Sequence, residues 1–338
     1  MNKIKPAIGI LLLLGIAFYG YRHRAGSERS SSGNSEGRIR IGTNRALGTI
    51  TPYVARDKGF FDQQSIQAQV IDFNDVTTLM ESITSGQLDV ALVGIAPPAI
   101  WQQRGVRLKV VAAANGGGHV LLTRSDTGMR VLADLRGRKI ATPKPGTVTD
   151  TLFRAHIVHD LANLDPETDI QIIPNMAAAD MATVLFVSRE VDAAITWEPF
   201  ASQAEANYKN HFVLYDAAAE WRRLHPDRKH LYPVNVVIAS QSFIDQHPDV
   251  LRRFLAAYTE AVHFINSQPE EANEIISRET QLDKSIVVAA RRRIDYSAQV
   301  DVDASLETLA WSVELGYLKK APTPAQLFDL RFLPQETE

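Results

Sequence analysis

The chain has 338 residues, of which 45% are hydrophobic and 22% charged, with a formal net charge of −3 and no cysteine. That is a globular composition long enough for two cores. No basic excess argues for nucleic acid, and the missing cysteine excludes disulfides, thiolate metal sites, a Cys nucleophile and an N-terminal lipid attachment site.

In chain order, Lys3 and Lys5 precede an apolar run from Ala7 to Tyr21, the layout of a secretory n-region and h-region. No small-x-small cleavage site follows, because the run ends in Tyr19, Tyr21, Arg22, His23 and Arg24. Residues 1–24 therefore read as an uncleaved signal or membrane anchor, helped by tilt and interfacial Tyr and Arg. Residues 25–37, from Ala25 to Gly37, are rich in Ser and Gly and read as a flexible linker.

Beyond the linker, strands and helices alternate, as in an α/β fold with a largely parallel sheet. Arg38 to Thr43 reads as a first strand that feeds the loop Asn44-Arg45-Ala46-Leu47-Gly48-Thr49. Thr51 and Pro52 then open a helix that Gly59 closes. Ile66 to Asp72 alternates as a second strand, and Val76, Leu79, Met80 and Ile83 share one helical face, stopped by Gly86 ahead of the strand Leu88 to Val93. Ligands in open α/β sheets sit beyond the carboxyl ends of strands. Asn44, Arg45, Gly48 and Thr49 are therefore expected beside Gly94, Ile95, Ala96 and Pro97 as one wall of a cleft. Asn115, ahead of the apolar run His119 to Thr123, joins these candidates.

Lys139 to Ile157 contains a strand end, a tight loop from Pro143 to Gly146, and a helix starting at Val148 with Thr147 as N-cap. Such a start offers unpaired N–H groups, the Thr147 and Thr149 hydroxyls and the positive end of a helix dipole. Gly146, Thr147, Val148 and Thr149 are therefore candidate contacts for an anionic or carbonyl-bearing ligand. An ordinary capped helix is the alternative. Further on, His156, His159 and Asp160 share a face whose expected role is solvated, with metal ligation as the alternative.

Ser85-Gly86-Gln87-Leu88-Asp89-Val90-Ala91-Leu92 lines up with Ser188-Arg189-Glu190-Val191-Asp192-Ala193-Ala194-Ile195, each after an apolar helix and before a Pro. A helix–strand–loop unit is thus expected twice, with one cleft wall from each half. Trp197 and Glu198 follow the strand Asp192 to Thr196, where the indole offers a flat apolar face and the carboxylate an acceptor for an amine. Core filling by Trp197 and a solvated first-turn role for Glu198 are the alternatives. The loop Trp221 to Pro233 and the run Arg291-Arg292-Arg293 are expected at the surface, and the helix opened by Pro248 reads as scaffold. No G-x-S-x-G, phosphate-binding loop or H-E-x-x-H occurs, and no catalytic residue, cofactor or metal site is expected.

Tyr53-Val54-Ala55-Arg56-Asp57-Lys58-Gly59-Phe60-Phe61, Ser85 to Ala91, Leu132 to Ala141, Pro145-Gly146-Thr147 and Asp192 to Pro199 occur in an order that resembles the nitrate/sulfonate/taurine-type substrate-binding proteins of ABC importers. The resemblance covers nearly all of the chain after residue 38. It implies an α/β, two-lobed periplasmic-binding-protein fold of type II, each lobe a mixed, mostly parallel sheet flanked by helices. Lobe 1 would comprise residues 38–123 and 234–338 and lobe 2 residues 124–233, with His119 to Thr123 and Val234 to Ser240 as crossing strands. Arg189-Glu190 stand where the family often has Gly, and an uncleaved anchor departs from its usual soluble form.

By that resemblance the chain captures a small polar solute (a sulfonate, nitrate, taurine-like or related nitrogen or sulfur compound) and is not an enzyme. Its expected partners are the small-molecule solute, ABC permease subunits and, through the N-terminal segment, a membrane. Its expected place is the periplasm or extracytoplasmic face, anchored to the inner membrane. Arg45 and Thr147 suit an anion and Glu198 an amine, which together suit a zwitterion or a polar neutral heterocycle. A membrane-anchored ligand sensor, or an enzyme on the same fold of the thiamine-pyrimidine or menaquinone-pathway type, is the alternative function.

Overall fold

The computed structural model describes residues 37–334. The expected anchor, Ala7 to Tyr21, and the linker up to residue 36 lie outside the described residues. Among the described residues no helix is long and apolar enough to cross a membrane.

Among the described residues eleven strands form two sheets. They are β1 Arg38–Thr43, β2 Gln67–Asp72, β3 Val90–Gly94, β4 Leu108–Gly117, β5 His119–Arg124, β6 Lys139–Ala141, β7 Gln171–Ile173, β8 Ala193–Trp197, β9 His211–Asp216, β10 Pro233–Ser240 and β11 Ile294–Tyr296. The first sheet has the order β11-β4-β10-β3-β1-β2 and the second β7-β6-β8-β5-β9. In the first, β1 runs parallel to β2 and β3, while β10 is antiparallel to β3 and β4. The second repeats the pattern, with β6 parallel to β7 and β8, and β5 antiparallel to β8 and β9. The two aligned sequence stretches thus end in β3 and β8, which hold equivalent places in their sheets.

Each sheet's reversed strand is supplied by chain arriving from the other sheet. The chain leaves β4 at Gly117 and enters β5 at His119, so the first crossing precedes His119 to Thr123 rather than running through it. It returns through Leu231 and Tyr232 into β10. Gly117 and Gly118 both have positive φ, 72° and 90°, and the Gly117 N–H donates to the Tyr232 carbonyl at 3.2 Å. The two crossings therefore lie side by side. A Cβ on Gly117 would approach Arg293 O and Leu231 Cδ1 to 2.5 Å, so no larger residue fits there without displacement.

Strands β3 and β4 read as near-continuous apolar runs because helices cover both faces of the sheet. On one face the helix Pro248–Ser267, started by its Pro, buries Leu251, Phe254, Leu255, Tyr258, Ala261 and Ile265. Phe254 stacks on Phe61 with centroids 6.1 Å apart. The helix Val302–Glu314 serves both halves: Ala304 and Trp311 join the core of the second sheet, and Leu309 joins a core beneath the first.

Candidate functional site

A cavity of about 250 Å³ lies between the carboxyl ends of the strands of the two sheets. Its first wall is the loop after β1. There the Thr49 hydroxyl donates to Asn44 Oδ1 at 2.5 Å, which occupies that oxygen and leaves the Asn44 amide NH2 as a donor at the cavity mouth. Tyr296 OH braces the loop by donating to Leu47 O at 2.8 Å. Behind it, Asn235 Nδ2 donates to Asn115 Oδ1 at 2.7 Å, making an amide floor. Gly48 is required against this floor, since a Cβ there would come within 2.5 Å of Asn115 Oδ1 and 2.9 Å of Asn235 Nδ2.

Gly94 and Pro97 continue the wall, with Val76 exposed at its edge. Ile95 and Ala96 are a correction to the expected set: both are buried in the apolar core below, and the Ile95 N–H is tied to Val234 O at 3.0 Å. A helix start turns those two side chains inward while Gly94 and Pro97 face the cleft.

The opposite wall is the helix start predicted at Thr147. Thr147 is the N-cap of the helix Val148–Thr151, which continues with i→i+5 spacing through Leu152–Leu161. Thr147, Val148 and Thr149 line the cavity, and a Cβ on Gly94 would sit 3.9 Å from Val148 Cγ2 across the cleft. Gly146 does not line it. Its N–H donates to Asp150 Oδ2 at 3.0 Å, and its Cα faces the ring of Tyr317. Asp150 is fully buried and also accepts from Arg154 Nε and Tyr317 OH. The chain thus places its own carboxylate at this helix start, and the N–H groups of Val148 and Thr149, at the first two helical positions, remain for a ligand.

Trp197 and Glu198 end β8 and complete that wall. Trp197 is half-buried and meets Phe200 edge-on, with centroids 5.9 Å apart. Glu198 is not solvated. Only 4% exposed, it accepts from Arg293 Nη1 at 2.8 Å and from Ser202 N at 3.1 Å. Burial pushes its pKa up, opposed by the Arg293 and Ser202 hydrogen bonds.

Arg45 is the second correction. It is exposed, pairs with Asp72 at 2.7 Å, lies over the Tyr53 ring, and is absent from the cavity lining. The surface reading of Arg291-Arg292-Arg293 also changes, because Arg291 donates to Ile265 O and Asn273 Oδ1, and Arg293 is enclosed by carboxylates. Trp221, expected in an exposed loop, is buried at 3% exposure in the helix Ala217–Leu224. His156 stacks on Trp311 at 5.1 Å, and among the described residues no group of three His, Cys, Asp or Glu is placed to hold a metal.

Ala46, Val76, Gly117, Gly118, His119, Val234, Asn235 and Ile294 also line the cavity. Two of these carried a signal in the sequence: the run Gly116-Gly117-Gly118 before His119, and the polar Asn235 inside an apolar strand. His119 Nδ1 lies 2.6 Å from Tyr232 OH, and burial pushes the imidazole pKa down to about 3, so the ring is neutral. Two larger surface grooves, about 510 and 610 Å³, share Gly105, Val106, Arg107 and Gln241 where β10 ends. Neither draws residues from both sheets.

The NMT1/THI5 like family model matches residues 48–272. A Bacillus subtilis protein assigned as a candidate aliphatic sulfonates-binding protein is 25% identical over 255 residues, 74% of this chain and 71% of that protein. The fold is similar to the periplasmic aliphatic sulphonate binding protein SsuA of Escherichia coli, with a TM-score of 0.73 at 20% identity over 87% of this chain and 98% of that one. It is also similar to the DSZB C27S mutant crystallised with biphenyl-2-sulfinic acid, with a TM-score of 0.65 at 16% identity over 88% and 97% of the two chains.

Proposed function

The chain belongs to the NMT1/THI5-like family, and from that premise we propose that it is the extracytoplasmic solute-binding component of an ABC importer, capturing a small polar solute of the sulfonate class between two lobes. The lobes are the two sheets with their helices, and the crossings at Gly117-Gly118 and Leu231-Tyr232 are the hinge. Hinge closure around a solute is the motion such an architecture permits. The N-terminal segment holds the protein at the membrane. The observation that carries the reading is the cavity itself: amide, hydroxyl and backbone donors from both sheets converge on a space of about 250 Å³ that Trp197, Val148, Val76, Pro97 and Ile294 make apolar on its other sides. That combination suits a compact acceptor-rich head group on a short apolar chain.

Homology to sulfonate-binding relatives supports import. The likeness to DSZB favours a second reading, an enzyme acting on a sulfur compound. The absence of any cysteine removes a thiolate nucleophile from that chemistry. A thermal-shift screen of the chain against alkanesulfonates, taurine and nitrate separates the readings. A solute at about 100 times its Kd adds about 2.7 kcal/mol of stability and is recovered unchanged if the chain is a binding protein. No shift with any of them, or turnover of the added compound, counts against import.

A further inference from the structure

Among the described residues Glu198 is the one acidic residue in the cavity lining, and no Lys or Arg lines the cavity. An unpaired carboxylate there would repel an anionic solute and attract a cationic one. It is not unpaired. Arg293 stands between the helix Lys284–Arg291 and β11 on the first sheet, and its guanidinium reaches across to the second half of the molecule. Nη1 meets Glu198 Oε1 at 2.8 Å and Glu205 Oε1 at 2.7 Å, and Nε meets Asp216 Oδ2 at 2.7 Å. Two of the three acids also accept hydrogen bonds from backbone N–H groups. The second oxygen of Glu198 takes the Ser202 N–H in the helix Phe200–Asn207, and Asp216 Oδ1 takes the N–H groups of Ala218 and Ala219 at the start of the helix Ala217–Leu224. Two helix starts and one guanidinium therefore stabilise Glu198 and Asp216, and among the described residues the Glu198 side chain, with no exposed surface, has one charge partner, Arg293.

We propose that Arg293 is the positioning residue that sets the charge preference of the cavity: by holding Glu198 in an ion pair it keeps that carboxylate from recruiting a ligand ammonium, so the cavity takes anionic or neutral head groups. This rests on the solute-binding reading above and names the solute class by charge. The site offers neutral donors, among them the Asn44 amide, the Thr149 hydroxyl and the N–H groups of Val148 and Thr149, and an anion is admitted because the one carboxylate among the lining residues is held in an ion pair. A zwitterion such as taurine is then held by its sulfonate, with its ammonium gaining nothing from Glu198. Removing one member of a buried pair leaves the other charge uncompensated, and here the charge left behind is buried in the wall of the cavity.

The test is calorimetric titration of the full-length chain with two probes of equal carbon number, ethanesulfonate and ethylammonium. The wild type, Arg293→Lys, Arg293→Gln and the double variant Arg293→Gln/Glu198→Gln are compared. The wild type and Arg293→Lys prefer ethanesulfonate. Arg293→Gln shifts the ratio of the two Kd values toward ethylammonium by about tenfold or more, and the double variant restores the original order. Equal weakening of both probes in Arg293→Gln, unrepaired in the double variant, overturns the proposal and makes Arg293 a purely structural clamp. Where Arg293→Gln does not fold, Glu198→Gln alone decides. An unchanged ratio supports the proposal, because the carboxylate was already neutralised, and a shift of about tenfold toward ethanesulfonate overturns it. If the wild type binds neither probe while Arg293→Gln gains ethylammonium, the sulfonate reading fails and the role of Arg293 stands. No binding of either probe by any chain overturns the proposal too.

Discussion

Glu198 and Arg293 show how far single residues were legible. The carboxylate stood out at the end of a predicted strand, but its partner lies 95 residues away, a separation that no local periodicity reports. Arg45 failed as a ligand contact for a similar reason: the side chain that neutralises it, Asp72, is brought alongside by the parallel pairing of β1 and β2. His119 makes a prediction at this scale. Its folded-state pKa, near 3, lies below the 6.5 of the free side chain. The unfolded chain therefore binds the extra proton between those values. The stability conferred by the neutral ring is complete above pH 6.5 and lost as pH falls toward 3. At pH 5 the loss is about 2 kcal/mol, so urea midpoints of the wild type should fall between pH 6.5 and 5 more steeply than those of His119→Gln. Parallel profiles would remove His119 as the cause. Gly48 makes another. Its backbone accepts alanine, but the added methyl strikes the Asn115–Asn235 amide pair. Gly48→Ala is expected to weaken solute binding by about 1–3 kcal/mol, read by titration, with the far-UV spectrum unchanged.

Among the elements, those with one strong period were readable and those shaped by packing were not. The helix Pro248–Ser267 announces itself by its apolar face, and the structure buries that face as expected. The helix after Thr147 was readable at its cap, because capping is local chemistry. Its i→i+5 continuation over Leu152–Leu161 was not, since the helix sits against Trp311 and its neighbours in the second core. The site residues divide in the same way. Loops placed by strand ends brought Asn44, Gly48, Thr49, Gly94, Pro97, Thr147, Val148, Thr149, Trp197 and Glu198 together, whereas Ile294 comes from an edge strand that no pattern marked. Because the helix Pro248–Ser267 is scaffold, Phe254→Ala is expected to destabilise the chain by about 3–5 kcal/mol in chemical denaturation while leaving solute affinity per folded molecule unchanged. A matching loss of affinity in the folded fraction would show that this core is coupled to the cavity.

At the scale of the whole molecule, the alternation of strands and helices and the internal repeat pointed to two similar halves, and β3 and β8 occupy the same place in their sheets. The way the halves are tied could not be read in advance. Side-by-side crossings depend on Gly117 and Gly118 adopting positive φ, and the helix Val302–Glu314 contributes to both cores although it lies far along the chain from either crossing. In the proposed function a solute sits between these halves against Trp197. The most direct test is calorimetric titration of an alkanesulfonate into the wild type and Trp197→Ala, with melting temperatures measured alongside. Binding is expected to be saturable and to weaken by about 1–3 kcal/mol in the variant with little change in melting temperature. Equal affinity in the two proteins, or a collapse in melting temperature with affinity retained by the folded fraction, would contradict it.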